Sequence, residues 1–314
     1  MSDSGKKTEY DLVVPLGAAC AASLAPRAAN LQFSSYPFDW VGGGDVVGHA
    51  RLVAEDFREW FRMEDLELTD VVNAIFNSSV YRNRVTGLVY SHDFPAGCYL
   101  EDEYPKVAQK YERRIRRLYA DMAKAKRVLA VYNEIPYRPV APDADLLEAQ
   151  RLLQGRFPEI RVDLVYFAQA PDCIDREPVN LTENVTKIVV DYHTMSRGYV
   201  SVSANYYKMF LYLRDHCHVK DVRTPEQVAK RDAAERARKA GRWGVGFDRW
   251  LNRKVFHLYR HLERWLADRG CIPDMERPLK LYKERGERRR SPGEPDISSL
   301  PRDEAAAAHA YDLL

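Results

Sequence analysis

The first residue whose chemistry stands out is a cysteine near the start of the chain. Cys20 closes the motif LGAAC at residues 16–20 and precedes the small apolar residues 21–25. A strand, a glycine turn and a helix in that order would put the thiol at a helix N-terminus, where unpaired N–H groups and the helix dipole favour the thiolate. We therefore expect a lowered pKa and a nucleophile beside an oxyanion hole of backbone N–H groups. The alternative is a small buried hydrophobic residue, which free cysteine usually is.

A thiol nucleophile needs a base, and His92 is the candidate. It lies in the stretch YSHDF at the end of a predicted strand, where α/β sheets bind ligands. Asp93 is its neighbour, but neighbours on a strand point to opposite faces. A second acid, Asp39, stands between two aromatic residues just before three glycines, where a partly desolvated carboxylate can orient His92 or a substrate hydroxyl. The alternatives are a satisfied polar residue at a strand end and an ordinary aromatic turn.

The elements that would position these residues alternate between strands and helices through residue 222. Five β-branched or aromatic-rich runs have the length of strands: 12–17, 87–90, 128–132, 162–167 and 187–191. Apolar residues at three- and four-residue spacing predict helices over 45–63, 104–126, 143–153 and 199–216. This alternation predicts an α/β fold, a mostly parallel sheet flanked by helices.

The composition excludes several classes of protein. Of 314 residues, 46% are hydrophobic and 30% charged, which is enough apolar surface for a core and excludes wholesale disorder. No uncharged apolar run approaches the length of about 18 residues that a spanning helix needs. Five scattered cysteines without a CxxC pair suggest neither a zinc ribbon nor a disulfide framework. Glu9 and Asp11 stand where an export signal carries basic residues, and Pro15 and Gly17 interrupt the apolar stretch, so we expect no export signal and a cytoplasmic protein.

The charge is distributed unevenly and predicts three segments. Residues 1–222 carry 27 basic and 31 acidic side chains and form the predicted α/β core, while residues 223–290 carry 20 and 10. We interpret 223–290 as a basic helical extension and 291–314 as a flexible tail. The extension either caps the core or makes a peripheral membrane contact through 247–266. Nucleic acid is the least favoured partner, because the aromatic residues follow the apolar seam of the helix instead of interleaving with its charges.

Several of these stretches together resemble a bacterial family described as papain-like cysteine peptidases of unknown function, often found in surface-polysaccharide gene clusters. The shared elements are the Cys20 motif, S-x-PFDW at 35–40, Phe57 with Trp60-Phe61, SHDF at 91–94 and Y-x-x-RI at 111–115.

The resemblance covers roughly residues 12 to 170. It implies that Cys20 is the nucleophile, His92 the general base, and Asp39 or Asp93 the orienting acid. Ser35 and Trp40, in the same motif as Asp39, are candidates for substrate contact. Where the family commonly carries Asn before its cysteine, this chain has Ala.

The local order of elements allows a second architecture. Papain relatives place their cysteine on a helix packed against an antiparallel barrel, whereas Cys20 follows a predicted parallel strand. Strand, glycine, nucleophile and helix in that order are closer to SGNH-type esterases with Cys in place of Ser. In that arrangement Asn133 donates to an oxyanion, and Asp191 or His193 completes a triad. The alternative for these residues is that they are polar strand termini.

Two classes of function follow from the sequence. The first is a cysteine-dependent acyl-transfer enzyme working through a Cys20 thioester, either a peptidase or hydrolase, or an acyltransferase in surface-polysaccharide metabolism. It requires no cofactor or metal; it acts on a small-molecule or saccharide substrate, with acyl-CoA as the donor for the transferase. The second is a non-catalytic sugar- or nucleotide-binding protein whose basic helical arm docks on a membrane or partner. The reactivity of the Cys20 thiol separates the two classes.

Overall fold

The computed structural model describes residues 7–58, 60–73, 78–135, 138–169, 176–190 and 202–220, with five isolated positions between 225 and 233. The basic extension and the tail fall outside these residues apart from those five positions, so the three predicted segments stay a prediction. Across the described ranges, no helix is both long enough and apolar enough to cross a membrane.

The described residues form strands and helices with the following bounds. The strands are β1 (Thr8–Tyr10), β2 (Leu12–Gly17), β3 (Val41–Gly43), β4 (Leu66–Asn73), β5 (Ser78–Asn83), β6 (Leu88–Pro95), β7 (Arg127–Asn133), β8 (Arg161–Gln169), β9 (Val179–Thr182), β10 (Val185–Val190) and β11 (Cys217–Val219). The helices are α1 (Ala21–Ala28), α2 (Val46–Ala54), α3 (Leu100–Met122), α4 (Asp143–Arg156) and α5 (Val202–His216).

The larger sheet has the strand order β2-β7-β8-β10-β9. Its first four strands are parallel, and β9 pairs antiparallel with β10. One face, with Val13 and Leu129, packs against α1 and α5, while the other face, with Val14 and Ala130, packs against α2 and α4. Burial on both faces explains why these strands are continuous apolar runs. The predicted α/β fold with a mostly parallel, helix-flanked sheet is confirmed.

A second sheet of four strands, ordered β3-β6-β5-β4, is entirely antiparallel. The predicted strand at 87–90 is part of β6 in this sheet and not of the parallel one, while β3, β4 and β5 were not predicted. In β5, buried Tyr81 is followed by exposed Arg82 and buried Asn83, the alternation of a strand covered on one face. The remaining pair, β1 and β11, is a separate parallel ladder.

The predicted helix over 45–63 is too long, because α2 ends at Ala54. Asp56 and Phe57 have left-handed backbone angles, with φ of 60° and 55°. The N–H of Phe57 donates to the carbonyl oxygen of Leu52 at 2.7 Å, a contact typical of helix termination. The turn buries Phe57 against Trp60, so apolar spacing continues past the helix end and imitates a longer helix.

An aromatic cluster joins the antiparallel sheet to α3. Trp60 lies 4.8 Å from the ring of Tyr111 on α3, and Phe61 lies 4.9 Å from Tyr90 on β6, both as edge contacts between ring centroids. The hydroxyl of Tyr90 also donates to the carbonyl oxygen of Trp60 at 3.0 Å. Contacts of this kind add to the free energy of burial and fix ring orientation. The cluster therefore sets the position of β6, which carries His92.

Candidate active site

The candidate nucleophile lies in the loop that joins β2 to α1. Gly17 ends β2 with a φ of 108°, and Cys20 precedes α1 with helical angles of φ −56° and ψ −27°. The first N–H groups of a helix have no acceptor within it, and the positive end of the helix dipole lies there. Cys20 therefore occupies a helix N-terminus, as the sequence predicted.

The candidate base comes from the other sheet. His92 lies inside β6, and its Nε2 is 3.6 Å from the Sγ of Cys20. This separation allows the thiol to donate a hydrogen bond to the imidazole. The strand runs on to Pro95, so His92 is an internal strand residue and not the terminal one that the sequence indicated. Two side chains 72 positions apart in the chain thus form one pair.

The electrostatics of the pair favour its neutral form. Burial raises the pKa of the Cys20 thiol to about 11; its own backbone N–H lowers the pKa and the charge of Asp39 raises it. The predicted fall of this pKa is wrong, because desolvation outweighs the helix N-terminus. Burial also lowers the pKa of His92. The charge of Asp93 raises this pKa, and the charge of Lys110 lowers it. The resting pair is therefore a thiol and a neutral imidazole.

A 3₁₀ turn, Pro37–Trp40, contributes three consecutive side chains that reach three different partners. The ring of Phe38 stacks on His49 with centroids 4.6 Å apart. Asp39 forms an ion pair with Arg27, which is described below. Trp40 meets His92 edge to face, with centroids 6.1 Å apart and planes 75° apart. The turn therefore connects His49 and Arg27 with His92, the candidate base.

Asp39 is fully buried and is the acceptor in a network of donors. The guanidinium of Arg27 contacts its Oδ2, while Gln32 Nε2 at 3.0 Å and the N–H of Tyr36 at 3.1 Å donate to Oδ1. Such pairing is what a buried carboxylate requires. None of the contacts that Asp39 makes in the described ranges is to His92, and its role as an orienting acid stays a prediction.

Ser35 belongs to the same network. Its hydroxyl lies 3.2 Å from Nη2 of Arg27, which also donates to the carbonyl oxygen of Ser34 at 3.0 Å. The carbonyl oxygen of Ser35 accepts from Arg117 on α3 at 2.9 Å. The described contacts of Ser35 are thus with this protein's own residues, and its role in substrate contact stays a prediction.

Asp93 makes its described contacts with helix α3 and not with its neighbour His92. Its Oδ2 accepts from the hydroxyl of Tyr111 at 2.5 Å, and its Oδ1 forms an ion pair with Lys110. Asp93 therefore acts on His92 through its charge in this structure, and its role as an orienting acid also stays a prediction.

Asn133 ends β7 beside the nucleophile loop. It is 1% exposed, and its backbone carbonyl oxygen accepts a hydrogen bond from the N–H of Ala18 at 2.9 Å. This bond ties the loop to the parallel sheet two residues before Cys20. The oxyanion role of its side-chain amide stays a prediction. Asp191 and His193 lie outside the described residues.

Three polar residues of the site were missed in the sequence. Arg27 is the one charged residue between Asp11 and Asp39, and that isolation was a usable signal of a buried ion pair. His49 occupies an apolar position of its helix, and Lys110 lies on a helix rich in basic residues, so neither differed visibly from its surroundings. In the ranges that the structure describes, no group of three or more potential metal ligands occurs.

Comparison with known proteins gives one match. Residues 11–154 match the model of the family described as “Putative papain-like cysteine peptidase (DUF1796)”. The match confirms the resemblance drawn from the sequence motifs, and it includes Cys20, Asp39, His92 and Asn133. The family description indicates a cysteine hydrolase. No curated protein and no solved structure matches the chain.

Proposed function

We propose, from this family match and from the paired thiol and imidazole, that the chain is a cysteine hydrolase that works through an acyl-thioester on Cys20. The observation that carries the proposal is the 3.6 Å separation between Sγ and the Nε2 of His92 at a helix N-terminus. A nucleophile within hydrogen-bond reach of a base is the arrangement that covalent acyl transfer requires.

The chemistry begins from the neutral pair. As Sγ of Cys20 attacks the substrate carbonyl carbon, Nε2 of His92 accepts the thiol proton, so no thiolate accumulates beforehand. The imidazolium then gives this proton to the leaving group, whose bond to the carbonyl carbon breaks and leaves the thioester. Water attacks the thioester with His92 again as base, which releases the acid and restores the thiol. The lowered pKa of His92 supports this role, since the imidazole is unprotonated near neutral pH.

The oxyanion formed during attack needs donors near Cys20. The N–H of Ala21, in the first turn of α1, has no acceptor within the helix and is one candidate. The side-chain amide of Asn133 is the second, because the residue stands beside the loop that carries the nucleophile. Backbone and amide donors fixed before reaction are the usual source of such stabilisation.

Trp40 is proposed to position His92 and to shield the pair from water. Its ring and the imidazole are arranged edge to face, with centroids 6.1 Å apart. The turn is held from the interior by Asp39 and Arg27, so the indole is attached to a fixed element. Contact of Trp40 with the substrate is part of the same proposal.

The acceptor of the acyl group separates a hydrolase from an acyltransferase. If water attacks the thioester, the reaction is hydrolysis of a peptide or ester; if a sugar hydroxyl attacks, it is transfer, with acyl-CoA as a suitable donor. The family description favours hydrolysis. Transfer to a saccharide in surface-polysaccharide metabolism is the second candidate, and its support is the gene context implied by the resemblance.

The decisive experiment uses p-nitrophenyl acetate as a generic acyl donor and follows the acetyl group by peptide mass spectrometry. We expect acetyl-Cys20 that hydroxylamine removes, as it removes thioesters. The adduct should be absent in Cys20→Ala and form much more slowly in His92→Ala. Cys98→Ala is the matched control, because Cys98 is an exposed cysteine of the same core. Water or added sugar hydroxyls are then offered to the isolated acyl-enzyme.

Two results would contradict the proposal. One is acetylation of Cys98 and Cys20 at equal rates, which would mean that the site gives no activation. The other is acetylation of Cys20 at an unchanged rate in His92→Ala, which would separate the two residues chemically. Either result would favour the non-catalytic sugar- or nucleotide-binding class.

A further inference from the structure

His49 is a buried histidine that lies between the nucleophile loop and the glycine turn after β3. It belongs to α2 and is 1% exposed. Its Nδ1 contacts the carbonyl oxygen of Leu16, and its Nε2 lies 3.0 Å from the carbonyl oxygen of Gly43. One ring therefore faces a backbone carbonyl in each of the two sheets.

Two glycines fit closely against this ring. Gly17 and Gly44 have φ of 108° and 69°, and a Cβ added to either would overlap the His49 side chain. Gly17 follows directly on Leu16 and begins the loop that ends at Cys20. The backbone therefore touches the His49 ring at the point where the chain turns toward Cys20.

The orientation of the ring is fixed by its aromatic neighbours. Phe38 stacks on it with planes 9° apart, and Tyr132 of β7 meets it edge to face with centroids 5.6 Å apart. Phe38 is in the same 3₁₀ turn as Trp40, which contacts His92. His49 thus contacts the segments that carry both members of the reacting pair.

We propose that His49 is a positioning residue that, by donating a hydrogen bond from Nδ1 to the carbonyl oxygen of Leu16, sets the course of the loop and directs the Cys20 sulfur at His92. The proposal rests on the proposed function in that the pair it aligns is the proposed catalytic pair. A misplacement of about 1 Å in a reacting group can reduce a rate by about 100-fold, so a residue of this kind affects chemistry without touching the substrate.

The protonation state of the ring decides which contact is a hydrogen bond. A carbonyl oxygen only accepts, so each ring nitrogen must carry a proton to make a bond there. Burial lowers the pKa of His49; the two carbonyl oxygens and Asp45 raise it, and Arg138 lowers it. The neutral ring has one proton, and the proposal places it on Nδ1, facing the carbonyl oxygen of Leu16.

Two substitutions separate the two ring nitrogens. His49→Asn places an amide N–H near the position of Nδ1, whereas His49→Gln places one near the position of Nε2. The rate of alkylation of Cys20 by iodoacetamide is measured by mass spectrometry, with Cys98 of the same molecule as internal reference. We expect His49→Asn to stay within about 3-fold of the unchanged protein and His49→Gln to lose about 10-fold or more.

A double-mutant cycle distinguishes positioning from general loosening of the fold. If His49 acts by aligning the sulfur with the imidazole, the effect of His49→Gln disappears when His92 is already alanine. An effect of the same size in that background would overturn the proposal, as would equal rates for the Asn and Gln variants.

A measurement on the unchanged protein covers the case in which neither variant folds. Long-range proton–nitrogen spectra of the ¹⁵N-histidine-labelled chain report which ring nitrogen is protonated. We expect His49 to carry its proton on Nδ1, and a proton on Nε2 alone would overturn the proposal. None of these measurements depends on turnover. If the His49 variants change Cys20 alkylation as expected but the protein shows no acyl transfer, the proposed function is wrong and the positioning role of His49 still holds.

Discussion

The five-stranded and the four-stranded sheet each supply one member of the candidate pair, and they position it differently. In the parallel sheet, Cys20 follows directly from the end of β2, through Gly17 to the first turn of α1. In the antiparallel sheet, His92 lies inside β6, and its place depends on how that strand packs against α3 and the aromatic cluster. The nucleophile is thus placed by local chain geometry, and the base by tertiary packing.

This difference draws attention to the contacts that hold the Cys20 loop and β6 in position relative to each other. His49 and the Pro37–Trp40 turn lie between the Cys20 loop and the antiparallel sheet. Beside His92 in the chain, Asp93 is held by Tyr111 and Lys110 of α3. Substitutions in these contacts should change the alignment of the pair, whereas substitutions in either reacting residue should remove it.

The largest effect is expected for Cys20→Ala, which removes the nucleophile from the parallel sheet. We expect the rate constant for turnover of an acyl donor to fall by at least about 1,000-fold, since loss of a covalent nucleophile leaves only binding and oxyanion stabilisation. Cys20→Ala should keep the circular dichroism spectrum of the unchanged protein, and Cys98→Ala should keep its rate. A Cys20→Ala protein with normal turnover would contradict the assignment.

Next in size is His92→Ala, which removes the base from the antiparallel sheet. A positioned general base contributes about 100-fold to 10,000-fold, and we expect the acylation rate to fall within that range. The thiol remains present, so a high pH that ionises it directly should restore part of the rate. A loss that is the same at all pH values would show that His92 does not act as the base.

The two sheets also differ in how far they could be predicted. The strands β2, β7, β8 and β10 were predicted to within two residues, because burial on both faces leaves continuous apolar runs. The strands β4 and β5 escaped prediction, since alternating Thr, Ser and charged residues do not differ locally from a loop. The pairing of β3 with β6 joins segments about 45 residues apart, and spacing along the chain does not reveal it.

The residues of the candidate site also differ in how far they could be predicted from the sequence. The Gly17 turn and the helix N-terminus of Cys20 follow from local sequence, whereas the pairing with His92 was proposed from its place near a predicted strand end and from the resemblance. The sign of the Cys20 pKa shift was wrong, because burial is a tertiary property. The ion pair of Asp39 with Arg27 also depends on packing that spacing does not reveal.

A smaller effect, on stability, tests the loop of the parallel sheet. Gly17→Ala must place a Cβ at positive φ and against the ring of His49, so we expect it to lower the free energy of unfolding by about 2 kcal/mol. Gly48→Ala is the matched control: it lies inside α2, where its Cβ would first meet Asp45 Oδ1 at 3.4 Å. Alanine favours a helix by about 1 kcal/mol over glycine. Urea unfolding of both variants measures the two effects, and equal midpoints would contradict the fit of Gly17 to the ring.

The smallest expected effect is a shift in pH dependence, and it tests the charges of Asp93 and Lys110 near His92. His92 must be neutral to accept a proton, so the rate falls as the pH drops through its pKa. Because burial lowers that pKa, the acid limb should lie below the usual value of about 6.5.

Lys110→Met and Asp93→Asn should then move this limb in opposite directions. Lys110 lowers the pKa of His92, so its removal raises the pKa and shifts the limb to higher pH; Asp93 raises the pKa, so its neutralisation shifts the limb to lower pH. Lys106→Met is the control, since Lys106 is exposed and pairs with Glu103. Shifts of the same sign for the first two variants would mean that the substitutions move β6 rather than the charge beside His92.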